Sequence, residues 1–270
     1  MAQMAQGRNK KVKVVQIIAR MNVGGPAVIV ADLMRSIDSS KVEQVLITGY
    51  CDSDEADYLE TVATDIKATR IAGLGRSVSL VADIRAFFAL VAMIKKIAPD
   101  VIHTHTAKAG FLGRIASIVS LQRSIRVHTF HGHLLDGYFS KFNTALLVKF
   151  EFLLAKKTDR MIAMGNQVKL DLLTAGVGRD NQFAVFFPGL LPAKVIQKVD
   201  ARSQLNLDSD SVYCLFVGRL TKIKRPDRLL DTISELKKRE VPVKFIVAGD
   251  GDLRDSVDSR ILEENLPVTM

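Results

Sequence analysis

The sequence predicts an α/β protein whose parallel sheet is covered by helices on both faces. Three observations predict it. Short apolar runs alternate with stretches of helical periodicity, the order that a strand–helix–strand repeat produces. The chain has 270 residues, 48% of them hydrophobic and none in a low-complexity tract, enough for sizeable cores in two domains. The stretch Phe187 to Gln197, with two prolines and a glycine, breaks the alternation and marks a boundary. The domains expected are 1–190, a complete Rossmann-like unit, and 191–270, the start of a second.

In the first domain, apolar runs place strands at 12–19, 43–48, 67–71, 101–103, 125–130, 160–164 and 183–187. The intervening segment 80–97 carries Leu80, Ile84, Phe87, Val91 and Ile94 at the four-three spacing of one helical face. Asn166 is placed to cap a helix that ends at Gly176, a residue suited to the left-handed position beyond a helix end. In the second domain, a buried strand ends at Val217, a helix follows from Pro226, and another apolar strand ending in a turn occupies 243–251 ahead of a last helix. Two strands are few for a sheet, so the expectation is a truncated domain. The strand of VKFIVAG, 243–249, would then have no later neighbour and an unpaired edge.

Charge and cysteine usage exclude several classes. The formal charge is +9, nearly all of it in residues 1–190, which favours anionic ligands or an anionic membrane surface. Four tyrosines, no tryptophan and no interleaving of basic with aromatic residues argue against nucleic acid. Cys51 and Cys214 are far apart, the latter inside an apolar strand, as free thiols in a reducing compartment are. The N-terminal apolar run is broken by Lys13 and Gln16 and is too short for a secretory signal, and no stretch reaches the roughly 18 apolar residues of a spanning helix. The expected location is the cytoplasm, with peripheral attachment at the inner membrane face as an option. Segment 80–97, with Arg85, Lys95 and Lys96 beside Phe87 and Phe88, can lie on anionic lipid; the simpler reading is a helix packed on its own sheet with a solvated basic edge.

Four motifs carry chemistry. After the first strand, Asn22-Val23-Gly24-Gly25-Pro26 opens a helix whose amides and dipole favour an anion, although many such turns merely connect strand to helix. All five histidines fall in HTH and HTFHGH, between His103 and His133. Zinc is one reading of them, but no cysteine or acidic residue is interleaved, so placement at strand ends lining a cleft fits better. The loop after it, with His133, Asp136 and Tyr138, suits an acceptor. In VYCLFVGRLTKIKRP, Arg219 and Lys224 follow a strand's C-terminal end, where a forked guanidinium and a mobile ammonium suit a diphosphate. The bland reading of those two is a pair of solvated charges at a helix start.

Taken in order, NVGGPA, DVIHTHTAKAGFLGR, HTFHGHLLDGYFS, FVGRLTKIKRPDRLL and VAGDGDLR resemble the family 4 glycosyltransferases of GT-B fold. The resemblance covers the first domain and roughly the first third of the second, taking a domain as about 100 to 150 residues. It implies retaining transfer of a sugar from a nucleotide-sugar donor held in a cleft between domains, to a saccharide or lipid-linked acceptor, with no cofactor and no metal. It implies that Arg219 and Lys224 contact the donor diphosphate, that Gly24 and Gly25 face it, and that His131 lies beside the donor sugar as the catalytic residue. His103, His105, His133, Asp136 and Tyr138 are then cleft or acceptor residues. The family's two glutamates seven residues apart are not found before Met270, so a truncated copy is expected. The alternative is a non-catalytic remnant or regulatory binding module. A nicotinamide-dependent oxidoreductase is disfavoured because the first turn lacks GxGxxG.

Overall fold

The computed structural model describes residues 10–132, 141–189, 191 and 195–270. The chain divides into two compact units, Met1–Leu191 and Pro192–Met270. In the first, strands β1 (Val12–Ile18), β2 (Val42–Thr48), β3 (Ala68–Arg70), β4 (Val101–His105), β5 (Ile125–Phe130), β6 (Arg160–Ala163) and β7 (Phe183–Val185) form one sheet. Between them run helices α1 (Gly25–Ser36), α2 (Tyr58–Thr61), α3 (Leu80–Ile97), α4 (Ala107–Val119), α5 (Lys141–Ala155) and α6 (Asn166–Thr174). The strand order is β3-β2-β1-β4-β5-β6-β7, every pair parallel. The fold class is the expected α/β, with a parallel sheet. The order reverses between β1 and β4, so the chain leaves these neighbours in opposite directions and opens a crevice at their C-terminal ends.

The strands' period of two assigns each side chain to a layer. Val15, Ile17, Ile47 and Ile102 pack on one face with Ala86, Leu90 and Ile94 of α3 and Ala109, Leu112 and Ala116 of α4. Ile18 and Leu46 face the other way, against Ala27, Val30 and Ala31 of α1 and Tyr58 and Leu59 of α2. Close approach of α4 to the sheet needs Gly110: a Cβ there would lie 2.4 Å from the His128 ring. That ring is buried and hydrogen-bonded through Nδ1 to the Thr104 hydroxyl at 2.8 Å.

Three local expectations are corrected in this unit. The buried stripe of α3 is Ala86, Leu90 and Ile94, with Phe87 and Val91 partly covered, while Leu80 and Ile84 stand exposed because the first turns of α3 overrun the packed layer. Strand β4 continues past His103 to His105, since both pair with β5, whose Val127 and Thr129 lie opposite them. Asn166 does not cap α6: Gly165 occupies that position in an extended conformation and Asn166 is the first helical residue. Gly176, just beyond the helix, does adopt the left-handed conformation, with φ of +80°.

The second unit holds α7 (Lys198–Gln204), β8 (Val212–Val217), α8 (Pro226–Lys238), β9 (Val243–Ala248), α9 (Arg254–Glu263) and β10 (Val268–Thr269). Its sheet is parallel, in the order β10-β9-β8. Strand β9 is therefore central: Val268 and Thr269 pair with Phe245 and Ile246, and the Phe245 amide donates to Pro267 O at 2.8 Å. A two-residue strand straight after a proline carries no sequence pattern, which is why the edge was expected at β9. The expectation of a buried strand ahead of Gly218 is also corrected. Among the described strands β8 pairs only with β9, and Cys214, Leu215 and Val217 are exposed. Phe245, Val247, Leu230, Ile233, Val257, Ile261 and Leu266 form the core with Leu220.

One charged pair is sealed inside the first unit. Arg114 of α4 and Glu151 of α5 are 1% and 2% exposed, and the guanidinium Nη2 donates to both carboxylate oxygens at 2.6 and 2.7 Å. Arg114 Nε also donates to Gly110 O at 2.7 Å. Removing one partner strands a buried charge, so Glu151→Ala is expected to cost about 3 to 5 kcal/mol by urea denaturation. The double variant Arg114→Met, Glu151→Leu should recover most of that loss; equal destabilisation in single and double variants would show that packing, not charge, dominates.

Candidate functional site

The polar residues of the first unit converge where the sheet opens. Register sets Ile18 of β1 beside His105 of β4, and His105 beside Thr129 of β5. Gln16, His103, His105 and Thr129 all point to the α1 side of the sheet, and His131 follows β5 directly. His103 Nε2 meets the Thr129 hydroxyl at 2.7 Å. His105 Nε2 meets Gln16 Oε1 at 3.0 Å, and its Nδ1 meets His131 Nε2 at 3.0 Å. The rings of His103 and His105 lie 4.1 Å apart and those of His105 and His131 5.2 Å.

Burial keeps this cluster neutral. It pushes His131 down to about 4 and His105 well below 6.5; His103 falls to about 3, through burial first and the charge of His131 second. His131 Nδ1 is sealed from water and has no hydrogen-bond partner among the described residues. A neutral imidazole makes that nitrogen either a bare acceptor or an N–H donor, according to the tautomer.

Beside the cluster, Thr106 caps α4 with φ of +62°, a strained setting for a β-branched residue that costs of the order of 1 to 3 kcal/mol. Its hydroxyl accepts from the Ala19 amide at 3.4 Å, tying the exit of β4 to the exit of β1. The turn before α1 also lies at the exit of β1. Gly24 is its N-cap, extended at φ of 166°, and Pro26 sits in the first turn. A Cβ on Gly25 would meet nothing within 4 Å, and one on Gly24 only Asn22 O at 3.8 Å. The packing does not require either glycine, and the space beside the turn is open to a ligand.

In the second unit, Gly218 to Pro226 leaves the C-terminal end of β8. Leu220 is buried and anchors the loop: its amide donates to Asp250 O at 2.8 Å and its carbonyl accepts from the Leu253 amide at 3.0 Å. Gly249 allows the neighbouring turn to approach, since a Cβ there would lie 1.9 Å from Gly218 O. Arg219 and Lys224 are exposed, and among the described residues neither side chain has an acidic partner. Arg225 differs, because its guanidinium is forked onto Asp227 at 2.6 to 3.0 Å. Lys222, between Arg219 and Lys224, is like those two exposed and without an acidic partner among the described residues, so three uncommitted cations and one neutralised cation stand in a single loop.

The residues singled out from sequence thus fall into separate groups. His103, His105 and His131 meet directly, and Gly24 and Gly25 lie at the neighbouring strand exit. Arg219 and Lys224 share the loop of the second unit. His133, Asp136 and Tyr138 lie outside the described residues. Among the described residues no group of three His, Cys, Asp or Glu is arranged to hold a metal ion, and both ring nitrogens of His105 are taken. Sequence reasoning missed Gln16, Gln44, Thr106 and Thr129 as parts of the cluster. The only trace was Gln16, a polar residue interrupting VKVVQII.

Comparison with known proteins decides the family. Residues 24–186, more than half of the chain, match the glycosyl transferase 4-like domain. The chain belongs to that family. Residues 197–270 match the glycosyl transferases group 1 family. It is 26% identical over 216 residues to the UDP-Gal:alpha-D-GlcNAc-diphosphoundecaprenol alpha-1,3-galactosyltransferase of Escherichia coli, covering 74% of this chain and 52% of the relative. It is 24% identical over 211 residues to the capsular polysaccharide biosynthesis glycosyltransferase CapM of Staphylococcus aureus, covering 75% and 54%. The chain spans about half the length of these curated relatives. Among solved structures it resembles Anabaena Alr3699/HepE in complex with UDP and glucose, with a TM-score of 0.74 at 19% identity, over 96% of this chain and 68% of that one. No helix among the described residues is long and apolar enough to cross a membrane.

The buried histidines make stability depend on pH with a definite sign. Their folded values lie below the ordinary 6.5, so between 6.5 and about 4 the unfolded chain binds protons that the folded chain refuses. Stability present above pH 6.5 is therefore lost as pH falls, by on the order of 2 kcal/mol per histidine at pH 5. The urea midpoint followed by circular dichroism should fall from pH 7 to pH 5, and His103→Gln should flatten the fall. A midpoint unchanged over that range would contradict the neutral cluster.

Proposed function

We propose that this glycosyltransferase moves a sugar from a nucleoside diphosphate donor to a saccharide or lipid-linked acceptor, with retention at the anomeric carbon. The observation that carries the reading is the pair Arg219 and Lys224, exposed and uncommitted at a strand end while Arg225 beside them is neutralised by Asp227. Unpaired cations on a loop anchored by Leu220 are suited to the diphosphate of a donor. Two relatives support that ligand class: the name of the E. coli enzyme specifies UDP-Gal and a diphosphoundecaprenol-linked acceptor, and HepE was crystallised with UDP and glucose.

The chemistry required is modest. The bond from the anomeric carbon to the diphosphate oxygen breaks, the acceptor oxygen bonds to the same carbon from the same face, and its proton passes to a phosphate oxygen. Charge accumulates on the departing diphosphate, where Arg219 and Lys224 stabilise it. In the first unit, the turn at Gly24 and Gly25 offers backbone amides to an anion. His131 Nδ1 offers a neutral acceptor to a sugar hydroxyl. The role of the basic, aromatic edge of α3 in contacting anionic lipid belongs to the same proposal, supported by exposure of Leu80, Val81, Ile84 and Phe88.

Calorimetry with UDP tests the central claim. Arg219→Ala and Lys224→Ala should each weaken binding by about 1.5 to 3 kcal/mol, roughly ten- to a hundredfold. Arg225→Ala should change it little, because that guanidinium already serves Asp227. Unchanged affinity in both the Arg219 and Lys224 variants, with intact circular dichroism, would overturn the proposal.

A further inference from the structure

The neutral cluster has a direction, and the direction starts at an atom whose role is fixed. Met34 O, a carbonyl in the last turn of α1, can only accept, and Gln44 Nε2 lies 3.1 Å from it. The amide of Gln44 therefore turns its oxygen to Gln16, whose Nε2 donates to Gln44 Oε1 at 3.3 Å. That leaves Gln16 Oε1 facing His105 Nε2 at 3.0 Å, so His105 carries its proton on Nε2 and has a bare Nδ1. His131 Nε2, 3.0 Å from that bare nitrogen, must then be the donor. A neutral imidazole holds one proton, so His131 Nδ1 keeps its lone pair. This is the atom that is sealed from water and without a partner among the described residues.

We propose that Gln16 and Gln44 are positioning residues that act through His105 to hold His131 in the Nε2–H tautomer, so that its Nδ1 accepts a hydrogen bond from a hydroxyl of the donor sugar. The assignment of a sugar hydroxyl rests on the function proposed above; the relay itself does not. Each member is placed by the sheet. Gln16 and Gln44 lie diagonally across the β1–β2 pair, in which Val14 faces Gln44 and Gln16 faces Leu46. Gln16 and His105 lie diagonally across the β1–β4 pair, in which Gln16 faces His103 and Ile18 faces His105. Both diagonals are within reach of long side chains. A single acceptor at the end of a helix thus sets the polarity of a ring nitrogen three strands away.

Gln16→Glu reverses the logic. A carboxylate beside His105 favours its imidazolium form, which donates from Nδ1 and forces His131 to accept at Nε2 and carry its own proton on Nδ1. Gln16→Leu removes the constraint without adding charge. In the 15N-labelled full chain, two-bond proton–nitrogen correlations of the imidazole rings distinguish protonated from bare nitrogens. The wild type should show His105 and His131 both as Nε2–H tautomers, Gln16→Glu should show His131 as the Nδ1–H tautomer, and Gln16→Leu should show a mixture. A bare Nε2 on His131 in the wild type, or ring shifts unchanged in both variants, overturns the relay, and the wild-type measurement decides even where a variant fails to fold.

UDP and UDP-glucose serve as probes of the second half of the claim. Gln16→Leu should leave UDP affinity unchanged while lowering UDP-glucose affinity several-fold, toward that of UDP. Equal losses for both probes, or none for either, overturn the positioning role. If the wild type binds neither probe while the tautomers are as stated, the relay stands and the proposed donor reading falls, taking the sugar contact with it.

Discussion

The parallel pairing of β1 with β4 is the constraint on which the first unit depends. It brings the C-terminal ends of two strands that continue in opposite directions side by side, with Ile18 opposite His105. Everything placed at that opening follows from the pairing: the Gly24–Gly25 turn leaves β1, the strained Thr106 leaves β4, and the Thr106 hydroxyl joins the two exits through the Ala19 amide. A one-residue slip between β1 and β4 would turn either Gln16 or His103 and His105 to the α3–α4 side, into the layer of Val15, Ile17 and Ile102, and separate the glutamine from the histidines. The apolar packing on both faces therefore enforces the geometry of the polar cluster. Stability and site geometry share one register.

The two units use opposite electrostatics. In the first, three histidines are desolvated and neutral, and their hydrogen bonds are short-range and directional. In the second, Arg219 and Lys224 stand in water, where charge acts over several ångströms and is screened by salt. Exposed cations suit the capture of a highly charged group whose exact pose need not be fixed at first encounter. A buried neutral acceptor suits the discrimination of one hydroxyl from none, because a site built around a hydroxyl leaves a polar atom unpaired when the hydroxyl is missing.

Much of this was legible in the sequence, and the reasons for the misses are physical. Long periodic segments announced themselves: the bounds of α3 were read correctly because eighteen residues of helical spacing outweigh local noise. The loop of Arg219 and Lys224 was legible as a loop because a glycine follows an apolar strand there, and the structure places both side chains exposed on it. Burial was less legible. Strand β8 is apolar throughout yet exposed along much of its length, since composition does not tell how many neighbours a strand has, and among the described strands β8 pairs only with β9. Strand β10 is two residues long and follows Pro267, so no window detects it. Gln16 and Gln44 were illegible as site residues because their importance lies in diagonal contacts across strands, and those depend on a register that periodicity alone does not supply. His103 and His105 looked alike in HTH, yet one closes on a threonine and the other transmits the relay.

A neutral relay is also the arrangement that this core can tolerate. The first unit does bury charge, at Arg114 and Glu151, but only as a pair with both carboxylate oxygens and Nε engaged. Among the described residues the histidine cluster has no carboxylate as a hydrogen-bond partner, so an imidazolium there would be a buried charge without a counterion among them, in line with the depressed values. Orienting His131 with a carboxylate in the place of Gln16 would stabilise the wrong protonation state and turn the acceptor at Nδ1 into a donor. Two glutamines anchored on a helix-end carbonyl give the same orientation without charge. The polarity of the cluster is thereby decoupled from pH across the neutral range, because nothing in it titrates near pH 7. What the sheet supplies to the site is a fixed lone pair rather than a proton reservoir.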